Sequence, residues 1–220
     1  MKQVEAVIFD LDGTLYPFPD GGTFTQIPFG QTISRNVTDF IQREFDLTRE
    51  QAERRREELH EQFNGEMSLG LESAFGIDRM RFFAETWDLQ PEEFVLVPDG
   101  IRRKLGELSV PLVLLSAAPR VWVDRVLAHM QIAEVFEGRV ITGEPDIRKP
   151  SEKVFRLAAE MANVPVETIV SIGDQEYTDI IPAKSIGMMA LRIGSNETSA
   201  DAWAPDICTA IDIAKERIKQ

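Results

Sequence analysis

Short apolar runs that end in polar or small residues recur along the chain. They occupy residues 4–9 (VEAVIF), 110–115 (VPLVLL), 167–172 (ETIVSI) and 188–193, with a weaker example at 139–142. Runs of this length bounded by turn residues predict buried strands. We therefore expect five strands, most of them followed by a polar loop.

Helical patterns separate these runs. They cover residues 101–108, 121–130, 151–162 and 179–186. Because strands and helices alternate, the economical arrangement is a parallel sheet with right-handed crossovers. The sequence thus predicts an α/β fold.

Residues 17–97 break the alternation, since they contain helical signals and no convincing strand. Apolar residues with helical spacing form two groups: Ile33, Val37, Phe40 and Ile41, and Met80, Phe83 and Trp87. Thr48 with Gln51 three residues later predicts a capping box at the start of a helix that ends near Gly65. We predict an α/β core of residues 1–16 and 98–220, interrupted by a helical domain of residues 17–97.

Charge and composition limit the classes of partner. The 220 residues include 37 acidic and 24 basic ones, a net charge of −13, and this charge repels nucleic-acid polymers and anionic membranes. A single cysteine, Cys208, excludes an intramolecular disulfide, and with only His60 and His129 a metal site built from Cys or His is improbable. No signal peptide and no apolar run of about 18 residues are visible, so we expect a cytoplasmic protein. The oligomeric state stays open, a homo-oligomer included.

Polar clusters follow several of the predicted strands. Asp10 and Asp12 come after the first, Ser116 after the second and Asp174 after the fourth, while Lys149 precedes Pro150. In open parallel sheets, ligands bind at the carboxyl ends of the strands. Two carboxylates spaced by one residue are also compatible with an ordinary loop turn, but the preceding strand and the following Gly13-Thr14 make the pattern more specific.

In this order and spacing the clusters resemble the four motifs of the haloacid dehalogenase superfamily. The matching segments are Phe9 to Thr14 (FDLDGT), the strand end Leu114-Leu115-Ser116, Lys149 before Pro150, and Gly173-Asp174 with Asp179. The resemblance implies a Rossmann-like three-layer sandwich and identifies residues 17–97 as an inserted α-helical cap. Most members of this superfamily are phosphatases.

The resemblance also assigns roles to the acidic residues. Asp10 would be the nucleophile that forms an aspartyl-phosphate, and Asp12 the general acid and base. Asp10, the backbone carbonyl of Asp12 and Asp174 would bind Mg²⁺, a cation that prefers oxygen ligands. Asp179 would orient its neighbours from outside the ligand set. Glu176 lies between the two aspartates in sequence and stays open as an alternative ligand.

The remaining motif residues would hold the phosphoryl group. The resemblance implies that Thr14, the Ser116 hydroxyl and the Ala117 N–H bind its oxygens, at the N-terminus of a helix that starts near Pro119. Lys149 would supply positive charge to the nucleophile and the phosphoryl oxygens. Ser116 has a structural alternative, in which it caps that helix.

The reaction class follows from two residue types. Dehalogenases of the superfamily lack the second aspartate of the first motif, whereas this chain has Asp12. The phosphonate hydrolases use a cap lysine, and residues 17–97 contain none. We therefore expect a Mg²⁺-dependent phosphatase acting on a small phosphorylated metabolite, with a non-catalytic phosphate-binding regulatory protein as the competing class.

The substrate expectation rests on the cap. Residues 65–71 (GEMSLGL) loosely resemble a cap segment of the pyrimidine 5′-nucleotidase branch, which makes a nucleoside 5′-monophosphate the leading substrate. Phe18, Phe24 and Phe29 are candidates for base stacking, although such residues more often pack within the protein. Phosphoglycolate or a sugar phosphate is the alternative.

Overall fold

The computed structural model describes residues 3–18 and 24–218 and divides the chain into two compact units. One unit is Met1–Gly21 together with Pro91–Gln220, and the other is Gly22–Gln90. The first is an α/β unit and the second is helical. Residues 91–97, which we assigned to the insertion, group with the α/β unit.

The sheet of the α/β unit has six parallel strands, which confirms the predicted fold class. The strands are β1 (Ala6–Phe9), β2 (Leu112–Leu115), β3 (Val140–Ile141), β4 (Ile169–Gly173), β5 (Met189–Ile193) and β6 (Ala202–Ala204). Their spatial order is β3-β2-β1-β4-β5-β6, so β1 lies between β2 and β4. Every residue of these three central strands is buried, as their continuous apolar sequences require.

The register of the central strands aligns their carboxyl ends. Phe9, the last residue of β1, pairs with Leu114 of β2 and with Ile172 of β4. The residues that follow these strands therefore emerge at the same edge of the sheet. That edge is where Asp10, Ser116 and Asp174 are placed.

Helices connect the strands of the α/β unit. They are α5 (Ile101–Gly106), α6 (Arg120–Met130), α7 (Glu152–Ala162), α8 (Ile181–Ser185) and α9 (Ile207–Ile218), and α1 to α4 belong to the helical unit. The apolar face of α7 packs in one cluster with residues of β1 and β2, which include Ile8 and Val113. The helix that we predicted over residues 179–186 begins instead as a π-helical turn at Glu176–Ile180 and continues as the short α8.

Two elements at the C-terminal end went unpredicted. β6 is a three-residue edge strand whose central residue, Trp203, is exposed, so it lacks the apolar run of a buried strand. α9 does carry a readable signal. Its buried residues Ile207, Ala210, Ile211, Ala214 and Ile218 follow helical spacing.

The helical unit contains α1 (Pro28–Glu44), α2 (Arg49–Gln62), α3 (Met67–Phe75) and α4 (Arg79–Thr86). The capping box predicted at Thr48 and Gln51 is present at the start of α2. The helical spacing of Met80, Phe83 and Trp87 corresponds to α4 and its C-cap. The buried residues of α4 are Arg79, Phe82 and Thr86, whereas Met80 is 51% exposed. Among the described residues, no helix has the length and apolar character needed to cross a membrane.

Candidate active site

A loop after β1 carries the two aspartates of the first motif. The Asp10 N–H donates to the carbonyl of Ile172 at 2.9 Å, which extends the pairing of β1 with β4 by one residue. Gly13 then adopts a φ of +86°, and a Cβ at this position would lie 2.5 Å from Oδ2 of Asp174. Glycine is therefore required here both for the turn and for the close approach of Asp174.

Lys149 links Asp10 to Asp179 at the centre of the site. Its Nζ donates to Oδ1 of Asp10 and to Oδ1 of Asp179, both at 2.6 Å. The Lys149 and Asp179 side chains are each 3% exposed, and the Asp10 side chain is 11% exposed. Residues separated by 139 and 30 positions in sequence are thus brought together, in agreement with the motif arrangement.

The π-helical turn after β4 turns Asp179 toward Lys149. The Asp179 N–H and the Ile180 N–H both donate to the carbonyl of Gln175, and the Gln175 N–H donates to Oδ2 of Asp179 at 2.9 Å. Both carboxylate oxygens of Asp179 are therefore bonded within the protein. Turns of this type are frequent at functional sites because the additional residue redirects a side chain.

Three carboxylates converge at this edge of the sheet. One oxygen from each of Asp10, Asp174 and Asp179 lies within 4.8 Å of the others. Burial raises the pKa of Asp10 to about 7 against the attraction of Lys149, and the neighbouring carboxylate of Asp179 raises it further. Burial, and then repulsion by Asp10 and Asp179, raises the pKa of Asp174 to about 8. The three carboxylates face a single ammonium group, that of Lys149. When they are ionised, the site therefore carries an excess of negative charge, which favours a bound cation.

The donors fit a hard divalent cation. Lys149 occupies one oxygen of Asp10 and leaves the other available, and Asp174 has one long contact, at 3.5 Å from the Thr14 hydroxyl. Because both oxygens of Asp179 are already bonded, this residue orients Lys149 while Asp10 and Asp174 offer carboxylate ligands. Carboxylate oxygens of this kind suit Mg²⁺.

Asp12 is held by two residues that the sequence analysis did not identify. Its Oδ1 accepts hydrogen bonds from the hydroxyl of Tyr16 and, at 2.7 Å, from Nε1 of Trp122 on α6. Burial raises the pKa of Asp12, although the hydrogen bonds from Tyr16 and Trp122 favour its ionised form. Both donors use the same oxygen, and the Ser116 side chain forms a further hydrogen bond with the Asp12 carboxylate.

Ser116 begins the loop between β2 and α6, where the phosphate-binding residues are predicted. Its hydroxyl accepts from the Ala118 N–H at 3.0 Å, which organises the turn, and its side chain also forms a hydrogen bond with Asp12. The helix itself begins later, at Arg120, and the Arg120 N–H donates to the carboxylate of Glu144. The N-terminus of α6 is thus occupied by a carboxylate of the protein, so the phosphate site predicted there would rest on the Ser116–Ala118 loop.

Glu176 is turned away from the three carboxylates. Its carboxylate forms an ion pair with Arg192 at 3.1 Å and accepts hydrogen bonds from Thr198 and Ser199. Partial burial opposes ionisation of this group, but the hydrogen bonds from Ser199 and Thr198 outweigh it and lower the pKa of Glu176 to about 2. The geometry therefore does not favour Glu176 as a metal ligand.

The loop after β3 supports the Ser116 loop through a glycine, which gives a first testable prediction. A Cβ on Gly143 would lie 1.8 Å from the carbonyl oxygen of Ala117. We expect Gly143→Ala to displace the Ala117 backbone, to raise KM more than it lowers kcat, and to destabilise the fold by about 1–3 kcal/mol. Steady-state kinetics and urea unfolding test this.

Gly106→Ala is the matched control, because a Cβ at Gly106 has no neighbour within 4 Å. It should leave KM unchanged and the stability equal or up to about 1 kcal/mol higher. An unchanged KM in Gly143→Ala would contradict the proposed support of the Ser116 loop.

Fold and site together define an α/β protein with a carboxylate-rich candidate site at the carboxyl edge of a parallel sheet. Residues 4–187 match the family model of haloacid dehalogenase-like hydrolases. The chain belongs to this family, as its sequence motifs indicated.

Individual relatives add detail. A glyceraldehyde 3-phosphate phosphatase from Pyrococcus abyssi is 29% identical over 85 residues, which are 39% of this chain and 36% of that protein. The matched region thus spans about a third of the length of that relative.

Solved structures extend the likeness to the whole fold. A HAD phosphatase from Thermococcus onnurineus aligns with a TM-score of 0.65 and 21% identity, over 96% of this chain and 97% of its own. YfnB from Bacillus subtilis, a HAD-family structure bound to magnesium, aligns with a TM-score of 0.57 and 16% identity over 97% and 99%. Identities of this size show the fold alone.

Proposed function

We propose that this protein is a Mg²⁺-dependent phosphatase that hydrolyses small phosphate monoesters through an aspartyl-phosphate on Asp10. The observation that carries the proposal is the buried arrangement in which Lys149 contacts Asp10 while Asp12 is held nearby by Tyr16 and Trp122. Dehalogenation does not require the second acid, Asp12. A protein that only binds phosphate requires neither a general acid nor a nucleophile.

The residues divide the reaction into two steps. The Asp10 carboxylate attacks phosphorus, and Asp12 donates its proton to the leaving oxygen, so that an alcohol departs. Asp12, now ionised, accepts a proton from a water molecule that attacks the phosphorus of the aspartyl-phosphate. Phosphate is released, and both aspartates return to their starting states.

Lys149 and the Ser116 loop act on the phosphoryl group in both steps. The Lys149 ammonium stays charged because Asp10 and Asp179 raise its pKa, although burial opposes this. Its fixed charge stabilises negative charge on the phosphoryl oxygens without reorganisation. Asp10 and Asp174, with the Asp12 carbonyl, would hold Mg²⁺, which supplies Lewis-acid stabilisation of the same oxygens when bound.

For the substrate, two observations favour a short sugar phosphate. The curated relative is named for glyceraldehyde 3-phosphate. Two of the phenylalanines considered for base stacking pack against other aromatic rings, with centroids 5.6 Å apart for Phe24 and Phe29 and 5.8 Å apart for Phe29 and Trp87. The nucleoside 5′-monophosphate expected from residues 65–71 stays a prediction.

A substrate panel tests the proposal. Phosphate release is measured with and without Mg²⁺ for glyceraldehyde 3-phosphate, a hexose phosphate, phosphoglycolate and a pyrimidine nucleoside 5′-monophosphate. We expect Mg²⁺-dependent turnover with the highest kcat/KM on a short sugar phosphate. A preference for the nucleotide would restore the expectation from sequence, and the absence of Mg²⁺-dependent turnover on every ester would leave the non-catalytic class.

The general-acid role of Asp12 gives a second prediction. We expect Asp12→Asn to lower kcat by about a hundredfold or more on an alkyl phosphate, whose leaving group needs a proton. On p-nitrophenyl phosphate, whose leaving group departs as an anion, formation of the aspartyl-phosphate should slow less than about tenfold. Rapid-quench measurement of the p-nitrophenol burst separates this step from hydrolysis. Equal losses for the two leaving groups would mean that Asp12 is not the acid.

A further inference from the structure

Arg192 connects the loop that carries Asp174 to a neighbouring segment of the chain. Its Nε donates to the backbone carbonyl of Asp174 at 3.1 Å. Its Nη1 donates to Oε2 of Glu176 at 3.1 Å and to the carbonyl of Glu197 at 2.7 Å. The Arg192 guanidinium therefore bonds two backbone carbonyls and one carboxylate around Asp174, the candidate metal ligand.

Glu176 extends this connection from inside the π-helical turn. Beyond the ion pair with Arg192, it accepts hydrogen bonds from the Thr198 hydroxyl at 2.6 Å and from the Ser199 N–H at 2.9 Å. The side chains of Arg192 and Glu176 are 18% and 19% exposed, so water competes only partly for these contacts. Hydrogen bonds between charged groups are also stronger than neutral ones.

The position of the Asp174 carboxylate depends on its backbone. Its carboxylate accepts a hydrogen bond from its own backbone N–H, and its contact with the Thr14 hydroxyl is long, at 3.5 Å. The direction of the carboxylate therefore depends on the position of the backbone at Asp174. Arg192 pairs with Gly173 across β4 and β5, so its guanidinium lies beside the residue whose carbonyl it bonds.

We propose that Arg192 and Glu176 are positioning residues that set the affinity of the site for its divalent cation. The proposal rests on the proposed function, because it takes Asp174 as a ligand of that cation. Arg192 fixes the carbonyl of Asp174, and Glu176 anchors both Arg192 and the turn that presents Asp179. We call Arg192, Glu176 and the contacts between them the clamp. The clamp holds the backbone at Asp174 in place, so the site loses less conformational freedom when the cation binds.

Direct metal binding tests this, without reliance on turnover. Arg192→Gln and Glu176→Gln are compared with the wild type by isothermal titration with Mg²⁺ and by electron paramagnetic resonance of added Mn²⁺. We expect each variant to bind 10- to 100-fold more weakly, the range typical for partners that orient metal ligands. Arg192→Lys should recover part of the loss, because an ammonium group can still reach one of the acceptors.

Arg139→Gln is the matched control. Arg139 also joins a backbone carbonyl to a glutamate, since its Nε donates to Leu112 at 3.0 Å and its Nη2 pairs with Glu137 at 3.0 Å. It lies beside the amino end of β2, away from the carboxyl edge that carries the site. This substitution should leave the Mg²⁺ affinity unchanged, even if it lowers the thermal stability by as much as Arg192→Gln does.

The outcomes separate this proposal from the proposed function. Normal cation affinity in Arg192→Gln and Glu176→Gln, with a wild type that binds the cation and hydrolyses esters, would overturn the clamp and leave the phosphatase assignment intact. A wild type that binds no divalent cation would overturn both. If Arg192→Gln unfolds, Thr198→Val removes one hydrogen bond to Glu176 and should still weaken Mg²⁺ binding severalfold. Unchanged affinity in that folded variant would also overturn the clamp.

Discussion

Asp10→Asn is expected to bind phosphorylated substrates and to hydrolyse them at least about a thousandfold more slowly than the wild type, because the amide oxygen is a poor nucleophile toward phosphorus. Asn retains the shape of Asp and an oxygen that can accept the hydrogen bond from Lys149. The fold should therefore survive, and the loss should appear in kcat. Phosphate release in saturating Mg²⁺ measures it.

An acid quench followed by mass spectrometry tests the covalent step. Wild-type protein mixed with p-nitrophenyl phosphate should carry a phosphoryl group on the peptide that contains Asp10, and Asp10→Asn should carry none. Asp10→Glu serves as the control, since it keeps a carboxylate but displaces it. A phosphoryl group on another residue, or a fully active Asp10→Asn protein, would refute the role of Asp10 as nucleophile.

Lys149→Met is expected to affect folding and activity together. The substitution leaves Asp10 and Asp179 buried without their shared cation, and breaking one side of a buried ion pair typically costs about 3–5 kcal/mol. Urea unfolding in EDTA at pH 7 should show a loss of this size. Phosphatase activity should fall by about a hundredfold or more, because the fixed charge beside the phosphoryl oxygens is gone.

A second substitution distinguishes charge imbalance from lost packing. Asp179→Asn in the Lys149→Met background removes one of the two buried carboxylate charges that lack a cation. Part of the lost stability should therefore return, while the activity stays low. A double variant no more stable than Lys149→Met would show that packing of the lysine stem, rather than its charge, stabilises this region. An unchanged urea midpoint in Lys149→Met would contradict the ion-pair argument itself.

The α/β fold was predictable because its main signals are local. Continuous apolar runs such as residues 169–172 have to be buried on both faces, and their alternation with helices leaves a parallel sheet as the economical solution. The three-residue β6 lacked such a run, and its place depends on pairing with β5. The spacing of apolar residues indicated the helix α4 but not which of its faces is buried, because that depends on the neighbouring elements that cover each face.

The sequence by itself determined the chemistry of the site: a pair of aspartates after a buried strand, a lysine, and a later aspartate pair, in the order that marks the family. Only the tertiary structure decided which groups these residues meet. It brings Trp122 and Tyr16 onto one oxygen of Asp12 and directs Glu176 to Arg192 instead of the carboxylates. The physical reason is that motif residues are recognised by type and spacing, whereas supporting partners such as Trp122 and Arg192 come from other helices and strands. Their proximity depends on strand register and on a single π-helical turn.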